Sequence, residues 1–228
     1  FEHGFTNLPV AYAKLDSCRH RYSKSYMWTI YNMSNQLTIP DAEIFLIEGA
    51  DSPLHGTSFF DRLLAELPWR SETITLFGKT YVQPRMLEFF GDQGVAYTYS
   101  KKLYKAREWT PSLIELRAVA EQIAGAPCNC VLANLYRNQR DSMGMHADDE
   151  PELGSCPTIV SMSFGATRTF LLQHKTRRDI PRIRIPLISE SILVMKGQTQ
   201  KHWLHGIEKK TRTLGPRINL TFRNVQMG

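Results

Sequence analysis

The fold class this sequence predicts is α+β, with helices backing a double-sheet barrel. Three observations carry it: two amphipathic helical stretches before residue 125, a run of short β-rich segments after residue 128, and turn residues between them at sandwich or barrel intervals. In chain order, Ser58 to Leu67 places Phe59, Phe60, Leu63, Leu64 and Leu67 on one helical stripe, which Pro68 closes. Ile74 to Val82 alternates around Gly78 and reads as a hairpin. Thr110-Pro111 is an N-cap with proline at N1; Leu113, Leu116, Ala120 and Ile123 follow, and Gly125 ends that helix. Strands are then expected at Val131–Tyr136, Thr158–Phe164, Thr169–Gln173, Ile183–Ile185, Ser191–Val194 and Ile218–Phe222. Residues 1–32 sustain neither period, yet hold four of the nine tyrosines. They are expected to form a poorly packed N-terminal extension to a globular domain over residues 33–228.

The chain has 228 residues, 42% hydrophobic and 22% charged, enough for a sizeable core and unlike a disordered or fibrous chain. No stretch reaches eighteen uninterrupted apolar residues, so no membrane helix and no membrane partner are expected. With no visible export signal and only four cysteines, an intracellular, reducing compartment is expected. The net charge of +6 is unevenly placed. Residues 175–223 hold twelve Lys/Arg against three acids, whereas 141–152 hold five acids and no Lys or Arg. A basic third beside an acidic knot points to a polyanionic partner and a separate charged site.

His146-Ala147-Asp148 can supply that site. In extended chain, residues two apart point the same way, so both side chains can reach one cation. His205 follows 59 positions later, and His202 is its rival. Two histidines and a carboxylate on one face of a ferrous ion leave three positions open for a cosubstrate and dioxygen. In Arg217-Ile-Asn219-Leu-Thr221-Phe-Arg223 the polar residues share one strand face and the apolar residues the other. Two inward arginines need anions, and a dicarboxylate supplies two. Asn134 and Tyr136 offer an amide and a phenol from another strand. Cys128-x-Cys130 lacks enough soft partners for a structural zinc site.

Asn134-x-Tyr136, His146-x-Asp148, His205 and the seven-residue run Arg217–Arg223 are similar, in order and spacing, to the AlkB family of iron(II)- and 2-oxoglutarate-dependent dioxygenases. The resemblance covers roughly Phe59 to Val225. It implies a double-stranded β-helix (jelly roll) at about 128–226, N-terminal helices, and a β-hairpin lid for nucleotide recognition at about 70–105. It implies Fe(II) on His146, Asp148 and His205, with 2-oxoglutarate and dioxygen as cosubstrates. Arg217 would then pair with the far carboxylate, helped by Tyr136 and Thr221. Arg223 and Asn134 would lie near the carboxylate beside the keto group, and Asn219 would support the pocket.

The lid residues Phe77, Arg85, Tyr97, Tyr99 and Ser100 resemble those of relatives that act on duplex DNA. There Phe77 would fill the gap left by an extruded base, and Tyr97 or Tyr99 would stack on that base. Asp149 and Glu150 would favour cationic N1-methyladenine and N3-methylcytosine. Basic clusters at Lys175–Arg178 and Lys209–Arg212 match loops that touch phosphates. The implied activity is oxidative demethylation of alkylated bases in DNA by a monomer, cytoplasmic in a bacterium and nuclear in a eukaryote. The same chemistry on RNA or single strands, or a non-catalytic nucleic-acid-binding module, are the alternatives.

Overall fold

The computed structural model describes residues 36–76, 78–99 and 102–226. Phe77, Ser100 and the extension expected at 1–32 lie outside the described residues. The strands are β1 (Gln36–Leu37), β2 (Glu43–Ile47), β3 (Arg70–Leu76), β4 (Lys79–Gly91), β5 (Ala96–Tyr99), β6 (Lys102–Lys105), β7 (Cys130–Tyr136), β8 (Met143–His146), β9 (Ile159–Gly165), β10 (Arg168–His174), β11 (Ile183–Leu187), β12 (Ile192–Lys196), β13 (Trp203–Ile207) and β14 (Arg217–Arg223). Helices are α1 (Phe59–Glu66), α2 (Pro111–Ala124) and the single turn α3 (Thr199–His202).

An eight-stranded sheet in the order β1-β2-β12-β9-β14-β7-β4-β3 faces a four-stranded sheet in the order β11-β10-β13-β8. All named pairings in these two sheets are antiparallel. This is the expected jelly roll. The outer row of β14, Ile218, Leu220 and Phe222, packs with Leu63 of α1 and Leu113, Leu116 and Ala120 of α2. Between the sheets, Ile44, Ile159 and Leu193 meet Leu172, Ile185 and Trp203. Burying this many large apolar side chains, at roughly 1.5–3 kcal/mol each, is what holds the two layers closed.

The helix expectations agree within a residue. Thr110 caps α2 through its extended backbone, without a side-chain cap bond, and Gly125 ends it in the left-handed conformation at φ 66°. The hairpin is also present: Leu76 pairs with Lys79 across a two-residue turn, and Gly78 takes φ 75°, which an L-residue disfavours. The order of elements differs from expectation. Strands do not wait for residue 128, because β2 inserts beside β12, and β4 extends through Gly91 to pair with β7. β2 has a mixed burial row, and the part of β4 that pairs with β7 is buried continuously over Leu87–Gly91, so neither stretch alternates. β3 and β4, in the segment expected to form the lid, are therefore continuous with the large sheet, while β5 and β6 form a separate ribbon. Among the described residues no helix is long and apolar enough to cross a membrane.

Candidate metal centre and anion pocket

β8 and β13 are neighbours, and their register sets His146 directly opposite His205. Gly206 makes the close pairing possible, since a Cβ there would stand 2.8 Å from the Met143 carbonyl oxygen. Asp148 follows β8 and turns inward. Ligating atoms of His146, Asp148 and His205 lie within 4.8 Å of one another, the one such His/Cys/Asp/Glu group among the described residues. His205 is in this cluster and its rival His202 is not; His202 lies on α3 against Gln198 and stacks near His174. Cys128 and Cys130 are buried in separate apolar clusters.

The charge states suit a cation. The Nδ1 of His146 lies 2.9 Å from the Gly144 carbonyl oxygen, which can only accept, so Nδ1 carries the hydrogen and Nε2 the lone pair. That lone pair faces Asp148 Oδ1 at 3.5 Å. Two electron-rich atoms so placed are stabilised by a positive ion between them. Burial opposes ionisation of Asp148, but the Arg223 guanidinium beside it overrides burial and keeps the carboxyl well below the ordinary range. Arg223 holds Oδ2 through Nη2 at 2.7 Å and Nε at 3.2 Å, whereas the buried Oδ1 has no hydrogen-bond partner among the described residues. Burial, with His146 nearby, pushes His205 down to about 3, so it stays neutral, as a ligand must. The ring of Phe170 stacks on it at 5.3 Å. Gln200 secures the loop: its Oε1 accepts the Asp148 N–H at 3.0 Å, and its Nε2 reaches the sulfur of Met195.

The centre opens into a cavity between the sheets. Arg217, Asn219, Thr221 and Arg223 of β14 line it, together with Asn134 and Tyr136 of β7. Pairing of Asn219 with Asn134, and of Arg217 with Tyr136, puts these rows side by side on one face. Arg217 is buried; Nη2 donates to Ser163 Oγ at 2.9 Å, while Nε and Nη1 have no partner among the described residues. Burial pulls its guanidinium down to about 10, against the opposing influence of the Tyr136 phenol; the Tyr136 ring centroid lies 5.2 Å from its guanidinium carbon. A buried cation with two unmatched donors fits a ligand carboxylate. Asn219 donates to Ser161 Oγ and accepts from Thr221 Oγ1, which fixes both side chains.

The other sequence-predicted positions are less central. Arg85 is buried, and its Nε donates to Asn134 Oδ1 at 2.7 Å. With that oxygen taken, the amide nitrogen of Asn134 is the group left to serve the cavity. Asp149 points outward and pairs with Lys175 at 2.8 Å. Glu150 precedes a 3-10 turn over Pro151–Leu153, and neither acid lines the cavity. Tyr97 and Tyr99 lie on β5, but their side chains are outside the described set.

The polar inward row and the three-ligand cluster have a counterpart in known proteins. Residues 44–223 match the family model described as the 2OG-Fe(II) oxygenase superfamily. The chain belongs to that superfamily. Membership brings Fe(II), 2-oxoglutarate and dioxygen as cofactor and cosubstrates, and the donor set above fits the ion and a carboxylate. The chain is 40% identical over 176 residues to the alpha-ketoglutarate-dependent dioxygenase alkB homolog 3 of Bos taurus, covering 74% of this chain and 61% of that protein. It is 35% identical over 208 residues to the DNA oxidative demethylase ALKBH2 of Mus musculus, covering 84% and 87%. The chain thus spans about three fifths of the length of the bovine relative. In fold it is similar to the solved structure of OsALKBH1, with a TM-score of 0.56, 17% identity, and coverage of 83% of this chain and 99% of that one.

Proposed function

We propose that this chain carries out oxidative demethylation of N1-methyladenine and N3-methylcytosine in DNA, coupled to decarboxylation of 2-oxoglutarate. One observation carries the reading. The three-ligand centre opens into a cavity whose opposite wall presents a buried arginine with two unmatched N–H donors. When bound, Fe(II) and 2-oxoglutarate supply the two-electron oxidation of a C–H bond by dioxygen. His146, Asp148 and His205 would hold the ion. Arg217 would hold the far carboxylate of 2-oxoglutarate, with Tyr136 and Thr221 beside it. Asn134 and Arg223 would serve the carboxylate next to the keto group, and Arg223 also fixes the Asp148 rotamer. Asn219 keeps that wall rigid. The apolar side chains that line the cavity, Leu132 and Phe170 among them, exclude water. Hydroxylation of an N-methyl group gives a hemiaminal that falls apart to formaldehyde and free base.

A nucleic-acid substrate is supported by the name of the mouse relative and by the basic loops at 175–178 and 209–212. Residues 70–105 would act as the lid, with Phe77 filling the gap of an extruded base, Tyr97 or Tyr99 stacking on it, and Ser100, Asp149 and Glu150 nearby. Arg85 would act through Asn134, which it holds. The protein would work as a monomer. Turnover of methylated single- and double-stranded oligonucleotides, read by mass spectrometry, tests this proposal. Loss of 14 mass units per lesion (a methyl group replaced by hydrogen, about 14 Da by elementary mass) with matching succinate supports it. Succinate without any change in DNA or RNA would refute the substrate assignment.

A further inference from the structure

The two histidines of the centre stand on different strands, and little ladder joins those strands. β8 and β13 pair at His205 with His146 and at Ile207 with Met143, with an irregularity between. Something else must fix their separation. Arg168, at the start of β10, is 1% exposed. Its Nη2 donates to the Asp141 carbonyl at 2.6 Å and to the Glu208 carbonyl at 2.8 Å, and its Nη1 donates to the Asn138 carbonyl at 3.1 Å. Asp141 lies just before β8, and Glu208 directly follows β13. One guanidinium therefore bridges the ends of both histidine-bearing strands.

The same guanidinium faces the cosubstrate wall. Its carbon lies 5.4 Å from the Tyr136 ring centroid, and that of Arg217 lies 5.2 Å from the same ring. Two residues along β10, Phe170 stacks on His205. Its hydrogen-bond acceptors are all carbonyls. A cation buried on carbonyls and an aromatic face is a costly way to build a core, and the planar fork is what lets one side chain meet three acceptors and a ring.

We propose that Arg168 is a positioning residue of the dioxygenase centre: it sets the spacing of β8 and β13, hence of His146 and His205, and holds the Tyr136 ring in place for 2-oxoglutarate. The inference rests on the reading of the centre given above. The test compares wild type, Arg168→Lys and Ile123→Val. Lysine keeps the charge but loses the fork, and Ile123 lies on α2 in the core cluster behind the large sheet, which includes none of the residues Arg168 contacts. Mn(II) affinity is measured by electron paramagnetic resonance, and 2-oxoglutarate affinity by titration into the Mn(II)-loaded proteins, below the unfolding temperature of each.

Arg168→Lys is expected to melt cooperatively, yet to bind both Mn(II) and 2-oxoglutarate about tenfold more weakly or worse, the scale of outer-shell changes at metal sites. Ile123→Val is expected to lose stability and neither affinity. In a Tyr136→Phe background Arg168→Lys should weaken 2-oxoglutarate binding less than it does alone, because part of its effect passes through the phenol. Unchanged affinities in folded Arg168→Lys, or equal losses in Ile123→Val, would overturn the proposal. If Arg168→Lys does not fold, Arg168→Gln is read in the same way at low temperature. Failure of both to fold assigns Arg168 to the fold alone and overturns the proposal too. Wild-type protein that binds no 2-oxoglutarate overturns the parent reading along with this one.

Discussion

Replacing Arg217 by methionine separates what this buried arginine costs the fold from the cosubstrate binding proposed for it. The side chain is buried, and burial lowers its guanidinium from 12.5 to about 10. At about 1.36 kcal/mol per tenfold change, keeping it charged at neutral pH costs the ligand-free fold on the order of 3 kcal/mol. Methionine fills similar space without the charge, so ligand-free Arg217→Met should be no less stable than wild type and is expected to be more stable. The sign follows from linkage: for a base held below its unfolded value, the penalty is full below about 10 and is relieved as pH rises toward 12.5. Binding should show the reverse. Losing one partner of a buried charge-assisted pair costs roughly 2–5 kcal/mol, or about thirty-fold to several-thousand-fold in Kd. The assay is thermal unfolding of the Mn(II)-loaded proteins with and without 2-oxoglutarate. At 100 times its Kd the ligand should stabilise wild type by about 2.7 kcal/mol, and the same concentration should barely shift the variant. A variant less stable than wild type without ligand, yet equally stabilised by it, would refute the reasoning.

Other outcomes follow from the same structure. Phe77→Ala should lower kcat/KM on a methylated duplex far more than on the same lesion in a single strand, because only the duplex demands extrusion, worth a few kcal/mol; equal losses would make Phe77 a folding residue of the hairpin. Burial pushes Cys128 and Cys130 up to about 12, so neither thiol should react with iodoacetamide at pH 8 until the protein unfolds; labelling of native protein would show that this region opens locally. Burial resists ionisation of Asp141, but hydrogen bonds from Arg137 hold its carboxyl below the ordinary value. Its contribution is present above the unfolded value and is lost as pH falls through the folded one. Asp141→Asn should therefore cost about 1–3 kcal/mol in urea unfolding at pH 7, and the cost should shrink as pH falls below the ordinary carboxylate range; a pH-independent cost would contradict this. Leu220→Ala, under α2, should cost about 2–5 kcal/mol.

What the sequence revealed depended on period and spacing. β14 was legible because its polar and apolar rows alternate strictly, and the structure places the two rows on opposite faces. The metal cluster was legible from an i, i+2 pair in extended chain plus a later histidine. Phe170 and Arg168 share an inward row with Leu172, so their direction was available, but an aromatic and a basic side chain in a strand carry no mark of what they touch. Gln200 gave no signal: its bond to the Asp148 backbone spans 52 residues and depends wholly on tertiary packing. β2 was missed because its burial follows its position between β1 and β12 rather than any two-residue period. Arg85 matched a substrate position by resemblance, while the structure turns it into the sheet against Asn134.

The central claim is that His146, Asp148 and His205 hold one Fe(II) to which 2-oxoglutarate binds under the control of Arg217. It is tested most directly by adding 2-oxoglutarate to the Fe(II)-loaded protein without oxygen and recording the visible spectrum. Chelation of ferrous iron by a 2-keto acid gives a metal-to-ligand charge-transfer band. The account predicts the band in wild type at one equivalent of iron, its loss in His146→Ala and His205→Ala, and its appearance in Arg217→Met only at far higher 2-oxoglutarate. A wild-type protein with no band, or a band that survives loss of either histidine at full strength, would contradict it.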